Sequence, residues 1–389
     1  MSESAERMPA ATGLASGFTD LPRGEDAAAE LKRQLAQPGL ELVLVFCSPE
    51  YRDTGFAPAV QAAFGDVPVI GCTTSGEVTP EGYRNNGIAA LSFAAPDFHA
   101  EIGRFPGIQN IDIARCSEEA GKRLAALDAK TPGEDGYENL GLVLIDALSR
   151  REEALMSCLD AALGRIPLFG ASAGDGLRFE ETSVLADGTF ESDGAVLALL
   201  RTNRPFKVFR SQHFVASDVK MVVTDADPEK RIVKEINAEP AVEEYARITG
   251  VGVDELTPMH FATHPLVVRL GGAEYVRSIQ KANPDGSLSF YCAIDEGLVL
   301  TLAEGRDMIS GLEQLFVEIE DEIGEPEAVL AFDCVLRRLE LEHMQQLQRI
   351  PPIFARHNVT GFSTFGEQFA SMHVNQTFTG LAIGARTRA

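Results

Sequence analysis

The chain has 389 residues, and 58 acidic against 34 basic side chains give it a formal charge of −24. So negative a surface repels polyanions, which argues against binding to a nucleic-acid backbone or to an anionic membrane. Hydrophobic residues make up 45% of the sequence, enough for a full core, and the length predicts two or three domains.

Six cysteines are spread along the chain, and no two of them are spaced as CxxC. This argues against a zinc knuckle or a thioredoxin-like pair and suits buried, reduced thiols. The start of the chain lacks the basic and apolar blocks of a secretory signal, and no apolar run reaches the roughly 18 residues of a membrane helix. We therefore expect a cytoplasmic protein without membrane contact.

Strands and helices are predicted to alternate along the chain. Residues 1–24 have the composition of a flexible tail, and residues 25–35 that of a first helix. Three later apolar runs predict buried strands, each followed by a helix and a second strand that runs parallel to the first. These runs lie at 42–47, 142–146 and 329–334. Runs 88–93 and 99–105 are predicted to pair as a hairpin.

The pattern changes near residue 225, where two strands about an Asp-Pro turn are followed by further hairpins. We therefore predict an N-terminal domain over residues 25–229 and a C-terminal domain over residues 230–389. Crossover helices combined with antiparallel hairpins predict an α/β fold with mixed sheets and internally repeated strand-helix-strand units.

In each of the three strand-helix-strand units, the second strand ends in a loop of similar composition. The loops read GCTTSGE from Gly71, GASAGD from Gly170 and GFSTFGE from Gly361. Each places small hydroxyl residues after a glycine, and then a second glycine with a carboxylate. Such self-similarity indicates one structural unit used several times.

Loops at the carboxyl ends of strands are where open α/β sheets bind ligands. The third loop offers Ser363, Thr364 and Glu367 as ligand-binding candidates, and the earlier loops offer Glu77 and Asp175 among others. The same residue types are also what tight turns need. A ligand pocket and ordinary turn chemistry therefore both stay open.

The segment MHVNQTF follows the third loop and is unusually polar for a strand. In an extended strand, His373, Asn375 and Thr377 would point one way and Gln376 the other. Such a row is costly against a core unless its members have partners. It is either a ligand-binding row or a hydrogen-bonded structural network.

His343 is the other notable histidine. It shares a helical stripe with Leu336, Leu339, Leu347 and Ile350, which predicts that it lies on an apolar helix face. A histidine there is either a satisfied core residue or an axial ligand of a cofactor buried against that face. We find no nucleotide-binding loop, no nucleophile elbow and no metal-ligand spacing that would indicate an enzyme.

Four segments resemble the FIST (F-box and intracellular signal transduction) family: VPVIGCTTSGEV, PLFGASAGDG, GGAEYVRSI and VTGFSTFGEQFASMHVNQTFTGLAIG. The resemblance covers residues 30–385, and its most specific part is the GFSTFGE loop followed by HVNQT. It implies an N-terminal and a C-terminal FIST domain in a sensory protein that binds a small ligand and signals through neighbouring proteins.

Within that family, AFDCVLRRLELE together with GFSTFGEQF and MHVNQTFTG resembles the bacterial NosP-type proteins. This resemblance implies b-type haem, a response to nitric oxide and a partner histidine kinase in two-component or cyclic-di-GMP signalling. His373 and His343 are then the alternative ligands of the haem iron.

Three functions follow from these observations. The leading interpretation is a cytoplasmic haem-based nitric-oxide sensor without catalysis of its own, its haem held in an apolar pocket of the C-terminal domain. The second is a haem-free sensory module that binds a small polar metabolite, such as an amino acid, near Glu367, Asn375 and Gln376. The third is an enzyme that uses Glu77, Asp175 or Glu367 as acid or base. We expect no enzyme, since the sequence pairs no nucleophile with a base.

Overall fold

One plan occurs three times in succession in the computed structural model, which describes residues 13–131 and 136–386. Each unit runs strand, helix, strand, helix, strand, hairpin, strand, except that the second helix of the third unit is divided into two. Between the first strand and first helix of the third unit lies an inserted segment, residues 214–305. The mixed α/β fold with repeated units is confirmed.

The first unit comprises β1 (Leu14–Thr19), α1 (Gly24–Leu35), β2 (Leu40–Cys47), α2 (Phe56–Phe64), β3 (Val69–Thr73), β4 (Glu77–Thr79), β5 (Gly82–Arg84) and β6 (Ile88–Ala94). The second comprises β7 (Phe98–Pro106), α3 (Ile113–Lys130), β8 (Glu138–Ile145), α4 (Glu152–Leu163), β9 (Leu168–Ser172), β10 (Val184–Ala186), β11 (Thr189–Glu191) and β12 (Gly194–Thr202).

The third unit opens with β13 (Phe206–Gln212). The inserted segment follows with β14 (Phe214–Asp227), β15 (Ile232–Ile236), β16 (Glu239–Pro240), α5 (Ala241–Thr249), α6 (Pro258–Thr263), β17 (Leu266–Leu270), β18 (Ala273–Arg277), β19 (Ile279–Ala282), β20 (Leu288–Phe290) and β21 (Val299–Gly305). The third unit resumes with α7 (Met308–Ile323), β22 (Pro326–Cys334), α8 (Val335–His343), α9 (Ile350–Arg356), β23 (Val359–Thr364), β24 (Gly366–Phe369), β25 (Met372–Val374) and β26 (Thr377–Gly384).

A glycine occupies the same place in the second parallel strand of every unit, namely Gly71, Gly170 and Gly361. A Cβ there would lie 1.8 Å from the carbonyl oxygen of Val45, 2.0 Å from that of Val143 and 1.7 Å from that of Ala331. No side chain fits at such distances. This close approach explains why each of the repeated loop sequences starts from a glycine.

The hairpin of each unit pairs with a sheet of another unit. The β10–β11 hairpin extends β3, the β4–β5 hairpin extends β23 and the β24–β25 hairpin extends β9. Three six-stranded sheets result, ordered β1-β6-β2-β3-β10-β11, β7-β12-β8-β9-β24-β25 and β13-β26-β22-β23-β4-β5. Because the exchange is cyclic, no unit completes its sheet alone.

The three sheets share one hydrophobic core at their inner faces. Phe46 of the first unit, Phe169 of the second and Phe332 and Phe362 of the third meet there, with ring centroids 4.8–6.0 Å apart. Successive residues of a strand face opposite sides, so the alternate side chains pack outward against the helices of each unit. The sheets therefore lie inside and the helices outside.

The inserted segment forms a further sheet with its own core. Its strands are ordered β18-β17-β21-β14-β15-β20-β19, with β16 beside β15, and α5 and α6 pack against it. It joins the second unit through a buried ion pair, in which Arg231 lies 2.5 Å from Glu152 and 2.7 Å from Glu153. This ion pair brings the inserted sheet next to the start of α4.

Two expectations from the sequence need correction. Strand β1 lies within the predicted tail and pairs with β6, while residues 1–12 lie outside the described part. Strands β6 and β7 do not pair with each other, because β6 lies between β1 and β2, and β7 pairs with β12. The domain boundary near residue 230 stays a prediction, and it falls between strands β14 and β15, which pair with each other. Among the described helices, none is long and apolar enough to cross a membrane.

Candidate functional site

The three strand-end loops lie against one another. The amide of Ser75 in the first loop donates to the carbonyl of Ser363 in the third, at 2.9 Å, and the Ser363 amide donates back to Gly76 at 2.7 Å. The Gly174 amide of the second loop donates to Thr73 at 2.9 Å. The first loop is therefore hydrogen-bonded to both of the others.

The first and second loops also line a surface cleft of about 350 Å³. Asp175 is part of its wall, but the carboxylate accepts the backbone N–H groups of Phe179, Glu180 and Glu181 at 2.8–3.0 Å. These bonds fix the segment that follows the second loop. Asp175 is thus engaged structurally rather than free to act as an acid or a base.

Glu77 and Glu367 occupy equivalent positions and make equivalent hydrogen bonds. Glu77 accepts from the Thr74 hydroxyl at 2.8 Å and from the Gly87 amide at 3.2 Å. Glu367 accepts from the hydroxyl of Thr364 and from the hydroxyl and amide of Thr377. Each carboxylate joins its loop to the start of the next long strand, so the candidates Thr364 and Glu367 bind each other.

Burial in these positions disfavours the charged form of both carboxyl groups. It raises the pKa of Glu77 to about 7, although the Thr74, Gly87 and Ser48 hydrogen bonds act in the opposite direction. It raises the pKa of Glu367 to about 8, with a further rise from the nearby Asp333. Both groups therefore change protonation near neutral pH.

His373 lies in a buried polar cluster beneath the start of α4. Its Nδ1 accepts from the Gln368 amide at 3.1 Å, and the same amide donates to the Ser172 hydroxyl at 2.9 Å. The opposite ring nitrogen, Nε2, then carries the proton, and the nearest carboxylate oxygen, on Glu152, is 3.9 Å away. Burial lowers the pKa of His373 against the pull of Glu152 and Glu153, so the ring is neutral. We call Ser172, Gln368, His373 and Asn375 the polar cluster.

Several atoms of the polar cluster have no hydrogen-bond partner within the described residues. They are His373 Nε2, Gln368 Oε1 and Asn375 Oδ1, and the side chains that carry them are at most 1% exposed. Buried polar atoms in native proteins are almost always paired, with protein, water or ligand. The polar cluster thus has unused donors and acceptors close together.

The segment MHVNQTF does not form one continuous strand, which corrects the expectation of a single polar face. Strand β25 ends at Val374, Gln376 has a φ of +53°, and β26 begins at Thr377 in a different sheet. Asn375 stays with His373, because both lie within 3 Å of where a Cβ of Gly366 would be. Gln376 is buried with both polar side-chain atoms unpaired in the described structure.

Ser363 lies apart from the polar cluster. It is in register with Asp333 on the neighbouring strand, so its hydroxyl is on the side of the sheet that carries Asp333. Asp333 accepts from Arg337 at 2.7 Å and from the Tyr83 hydroxyl, and Arg337 also contacts His213 at 3.0 Å. Asp333, Arg337, Tyr83 and His213 thus satisfy one another, whereas the buried Ser363 hydroxyl has no partner in the described structure.

Two family models together match most of the chain: the FIST N domain over residues 41–239 and the FIST C domain over residues 241–370. The chain belongs to the FIST family. FIST domains are sensory domains of signal transduction. No curated protein matches the sequence.

Two solved structures are similar to this FIST protein over 96% of its chain and 99% of theirs. One is described as cyanuric acid hydrolase, evolved by structural concatenation, at 8% identity, and the other is the cyanuric acid hydrolase of A. caulinodans at 9%. Both give a TM-score of 0.38. At these values the likeness says nothing about the activity of this chain.

His343 does not lie on the apolar face that its spacing predicts. Helix α8 of this FIST protein ends at His343 instead of continuing to Ile350, and the histidine is exposed. The helix breaks because Gln345 has a φ of +55°, after which α9 starts in a new direction at Ile350. The stripe read from the sequence therefore spans two separate helices.

Neither histidine of this FIST protein fits haem in the described arrangement. Imidazole binds metal ions at about 2 Å, but a Cβ on Gly366 would already be only 2.8 Å from His373 Nε2. A porphyrin at that nitrogen would overlap the β24 backbone. His343 lacks the buried apolar surroundings expected of the haem pocket. Over the described ranges, no group of three or more His, Cys, Asp or Glu side chains could hold a metal ion.

The structure adds residues to the FIST site that the sequence analysis did not select. Gln368 and Arg277 lie within GFSTFGEQF and GGAEYVRSI, two of the segments that carry the family resemblance. An alignment of the three units would have identified Gln368. Glu152 and Arg231 carried no recognisable sequence signal. They meet only because the inserted sheet packs against the second unit.

Proposed function

We propose that this FIST protein is a cytoplasmic sensor of a small polar metabolite, which binds at the polar cluster. The observation that supports this most directly is the group of unpaired buried atoms on Gln368, His373 and Asn375. Leaving such an atom unpaired costs about 1–3 kcal/mol. A ligand with its own donors and acceptors would remove that cost, which gives the site affinity for polar molecules.

The location of the polar cluster suits a signalling role. It lies where the β24–β25 hairpin, helix α4 and the inserted sheet meet, and Arg277 of that sheet reaches the His373 carbonyl at 3.4 Å. Beside it, the Phe365 carbonyl accepts from Asn375, and the Phe365 ring stacks on Phe179 at 4.6 Å. A ligand entering here would change the contacts between the inserted sheet and the repeated units, and so shift their arrangement.

The partner that reads this change is proposed from the resemblance to NosP-type proteins alone. By that resemblance it is a histidine kinase of a bacterial two-component or cyclic-di-GMP pathway. Acid or base catalysis by the loop carboxylates is not favoured, because the oxygens of Glu77, Asp175 and Glu367 are engaged in structural hydrogen bonds.

A thermal-shift screen of polar metabolites tests the proposal. We compare the wild type with His373→Phe and with His357→Phe, a matched control. His357 is likewise a buried histidine with an unpaired ring nitrogen, but it stacks on Phe316 at 3.9 Å, away from the polar cluster. Ligand at 100 times its Kd contributes about 2.7 kcal/mol, so we expect a Tm rise of a few degrees.

That rise should appear in the wild type and in His357→Phe, and should be absent in His373→Phe. If no polar metabolite raises the Tm of the wild type, or if His373→Phe responds as the wild type does, the proposal is wrong.

Haem-based nitric-oxide sensing is the alternative that the resemblance to NosP-type proteins implies. The geometry at His373 favours the polar metabolite over this alternative, so we expect no Soret band that depends on His373 or His343. The measurement is a haem titration with and without nitric oxide for the wild type, His373→Ala and His343→Ala. A Soret band that responds to nitric oxide and is lost in either variant would favour the haem sensor.

A further inference from the structure

One buried arginine differs from the rest. Four arginines of the described residues are buried: Arg204, Arg231, Arg277 and Arg337. The first lies 2.9 Å from Asp97, the second 2.5 Å from Glu152 and the fourth 2.7 Å from Asp333. Arg277 is 6% exposed, and no carboxylate of the described chain pairs with it.

The contacts that Arg277 does make are weak. One terminal nitrogen reaches the backbone carbonyls of Val276 and His373, each at 3.4 Å. The Nε atom is buried and has no acceptor in the described structure. A buried charge without a counter-charge is strongly unfavourable, and proteins normally pair it. An anion from outside the protein would supply the missing partner.

A second free donor lies near Arg277, on the ring of His373, which the charge of Arg277 reaches. Because His373 Nδ1 accepts from the Gln368 amide, the ring proton is on Nε2. That N–H has no acceptor in the described structure. Two N–H donors without acceptors, one of them on a cation, match an oxyanion. The free acceptors Gln368 Oε1 and Asn375 Oδ1 are available to donors elsewhere on the same molecule.

The charges around the polar cluster limit which oxyanion fits. Arg231 is shared by Glu152 and Glu153, which leaves one negative charge in excess on that side. Glu152 and Glu153 both act on His373, so this excess negative charge lies close to the polar cluster. A dianion such as phosphate would add two negative charges near these carboxylates, whereas a carboxylate adds one.

We propose that Arg277 is the ligand-anchoring residue of this site and that the ligand carries a carboxylate, which binds the Arg277 guanidinium beside His373 Nε2–H. This deepens the proposed function and rests on it. The guanidinium of Arg277 supplies charge complementarity, and the polar cluster recognises the rest of the molecule.

The test uses pairs of compounds that differ only in this group. Small monocarboxylic acids and α-amino acids are each measured against their primary amides, with inorganic phosphate as a further probe. Proteins are the wild type, Arg277→Met, Arg277→Lys and Arg269→Met. Arg269 is the matched control, since it lies in the same sheet but is exposed and pairs with Glu274 at 2.6 Å.

We expect a carboxylate to raise the Tm of the wild type and of Arg269→Met, and its amide to bind about 10- to 100-fold more weakly. Arg277→Met should lose affinity for the carboxylate by the same factor and keep that for the amide. Arg277→Lys should lose affinity for the carboxylate with its fold intact, because an ammonium does not reproduce the planar pair of donors.

Without ligand, Arg277→Met should be at least as stable as the wild type, since it removes an unpaired buried charge. Arg231→Met, which leaves two carboxylates unpaired, should be less stable. A fall in stability of Arg277→Met equal to that of Arg231→Met would show a structural role and overturn the assignment.

The outcomes separate this inference from the proposed function. If a compound stabilises the wild type but its amide does so equally, or if Arg277→Met and Arg277→Lys bind the carboxylate as the wild type does, then the Arg277 assignment falls and the sensor remains. If phosphate stabilises the wild type and no carboxylate does, the assignment of a carboxylate to the ligand is also wrong. If no compound stabilises the wild type, both fall.

Discussion

The hairpins of the first and third units have the same geometry and carry different chemistry. In β4–β5, Val78 lies opposite Gly361 of the receiving strand and pairs with Tyr83 across the hairpin. In β24–β25, Gln368 lies opposite Gly170 and pairs with His373. The position that holds an apolar side chain and a tyrosine in one hairpin holds an amide and an imidazole in the other.

The two hairpins differ in whether their buried polar atoms have hydrogen-bond partners. Val78 packs in an apolar cluster, and the Tyr83 hydroxyl is bound by Asp333. Gln368 and His373 keep an unpaired oxygen and an unpaired nitrogen. Since the second unit also places an apolar residue, Leu185, opposite its glycine, the repeat itself needs no polar group there. The polar pair of the third unit is therefore not a requirement of the repeated fold.

The largest effect should come from breaking the satisfied network at the first hairpin. Asp333→Ala leaves the buried Arg337 guanidinium without its carboxylate, which we expect to cost about 3–5 kcal/mol. Urea unfolding measures this loss, with Asp321→Ala on the exposed face of α7 as control, expected within about 0.5 kcal/mol. Equal unfolding midpoints for the two variants would show that the network contributes nothing.

The buried carboxyl groups of Glu77 and Glu367, which occupy equivalent positions in two loops, should make the free energy of unfolding fall as the pH rises. Folding raises their pKa values from 4.5 to about 7 and about 8, so the folded state favours the protonated forms. The stabilisation is complete below pH 4.5 and is lost as the pH passes through 7 for Glu77, a change of about 3 kcal/mol, and through 8 for Glu367.

Glu77→Gln and Glu367→Gln cannot titrate, so each should gain stability relative to the wild type as the pH is raised from 5 to 9. The measurement is Tm against pH for both variants and for Glu318→Gln, an exposed control on α7. A constant difference between variant and wild type across this range would contradict the raised pKa values.

Placing the chemistry of the third hairpin in the first should destabilise the protein. Val78→Gln buries an amide in an apolar cluster without a partner, which we expect to cost about 2 kcal/mol. The control is Val317→Gln, where the valine is 49% exposed. If Val78→Gln and the wild type have the same urea midpoint of unfolding, the first hairpin tolerates a buried amide. The contrast between the two hairpins would then say nothing about ligand binding.

Replacing the polar pair of the third hairpin by apolar side chains should produce the smallest change in stability, and it should be a gain rather than a loss. Gln368→Leu combined with His373→Phe removes unpaired atoms, so we expect the ligand-free protein to gain about 1 kcal/mol while its response to polar metabolites disappears. Calorimetry with and without the stabilising metabolite measures both. A loss of stability together with an intact response would mean that these side chains serve folding.

Much of the local structure could be predicted because its causes are local. The helix predicted after the first buried run and the hairpins predicted after residue 225 follow from periodicity and turn residues, and the structure confirms them. The apolar spacing predicts one continuous stripe across α8 and α9, which is wrong because the spacing continues across the break at Gln345. That break placed His343 in solvent.

By itself the sequence determined the three repeated units, the strand-end glycines and the family, because each depends on short-range patterns of residue type. Only the tertiary structure decided that the hairpins change sheets and that Gln368, His373, Arg277 and Glu152 meet. These contacts join residues separated by up to about two hundred positions, and no local preference encodes them. They arise because three incomplete sheets bury their shared core only by exchanging edges, and the third exchange brings polar side chains together beside an unpaired arginine.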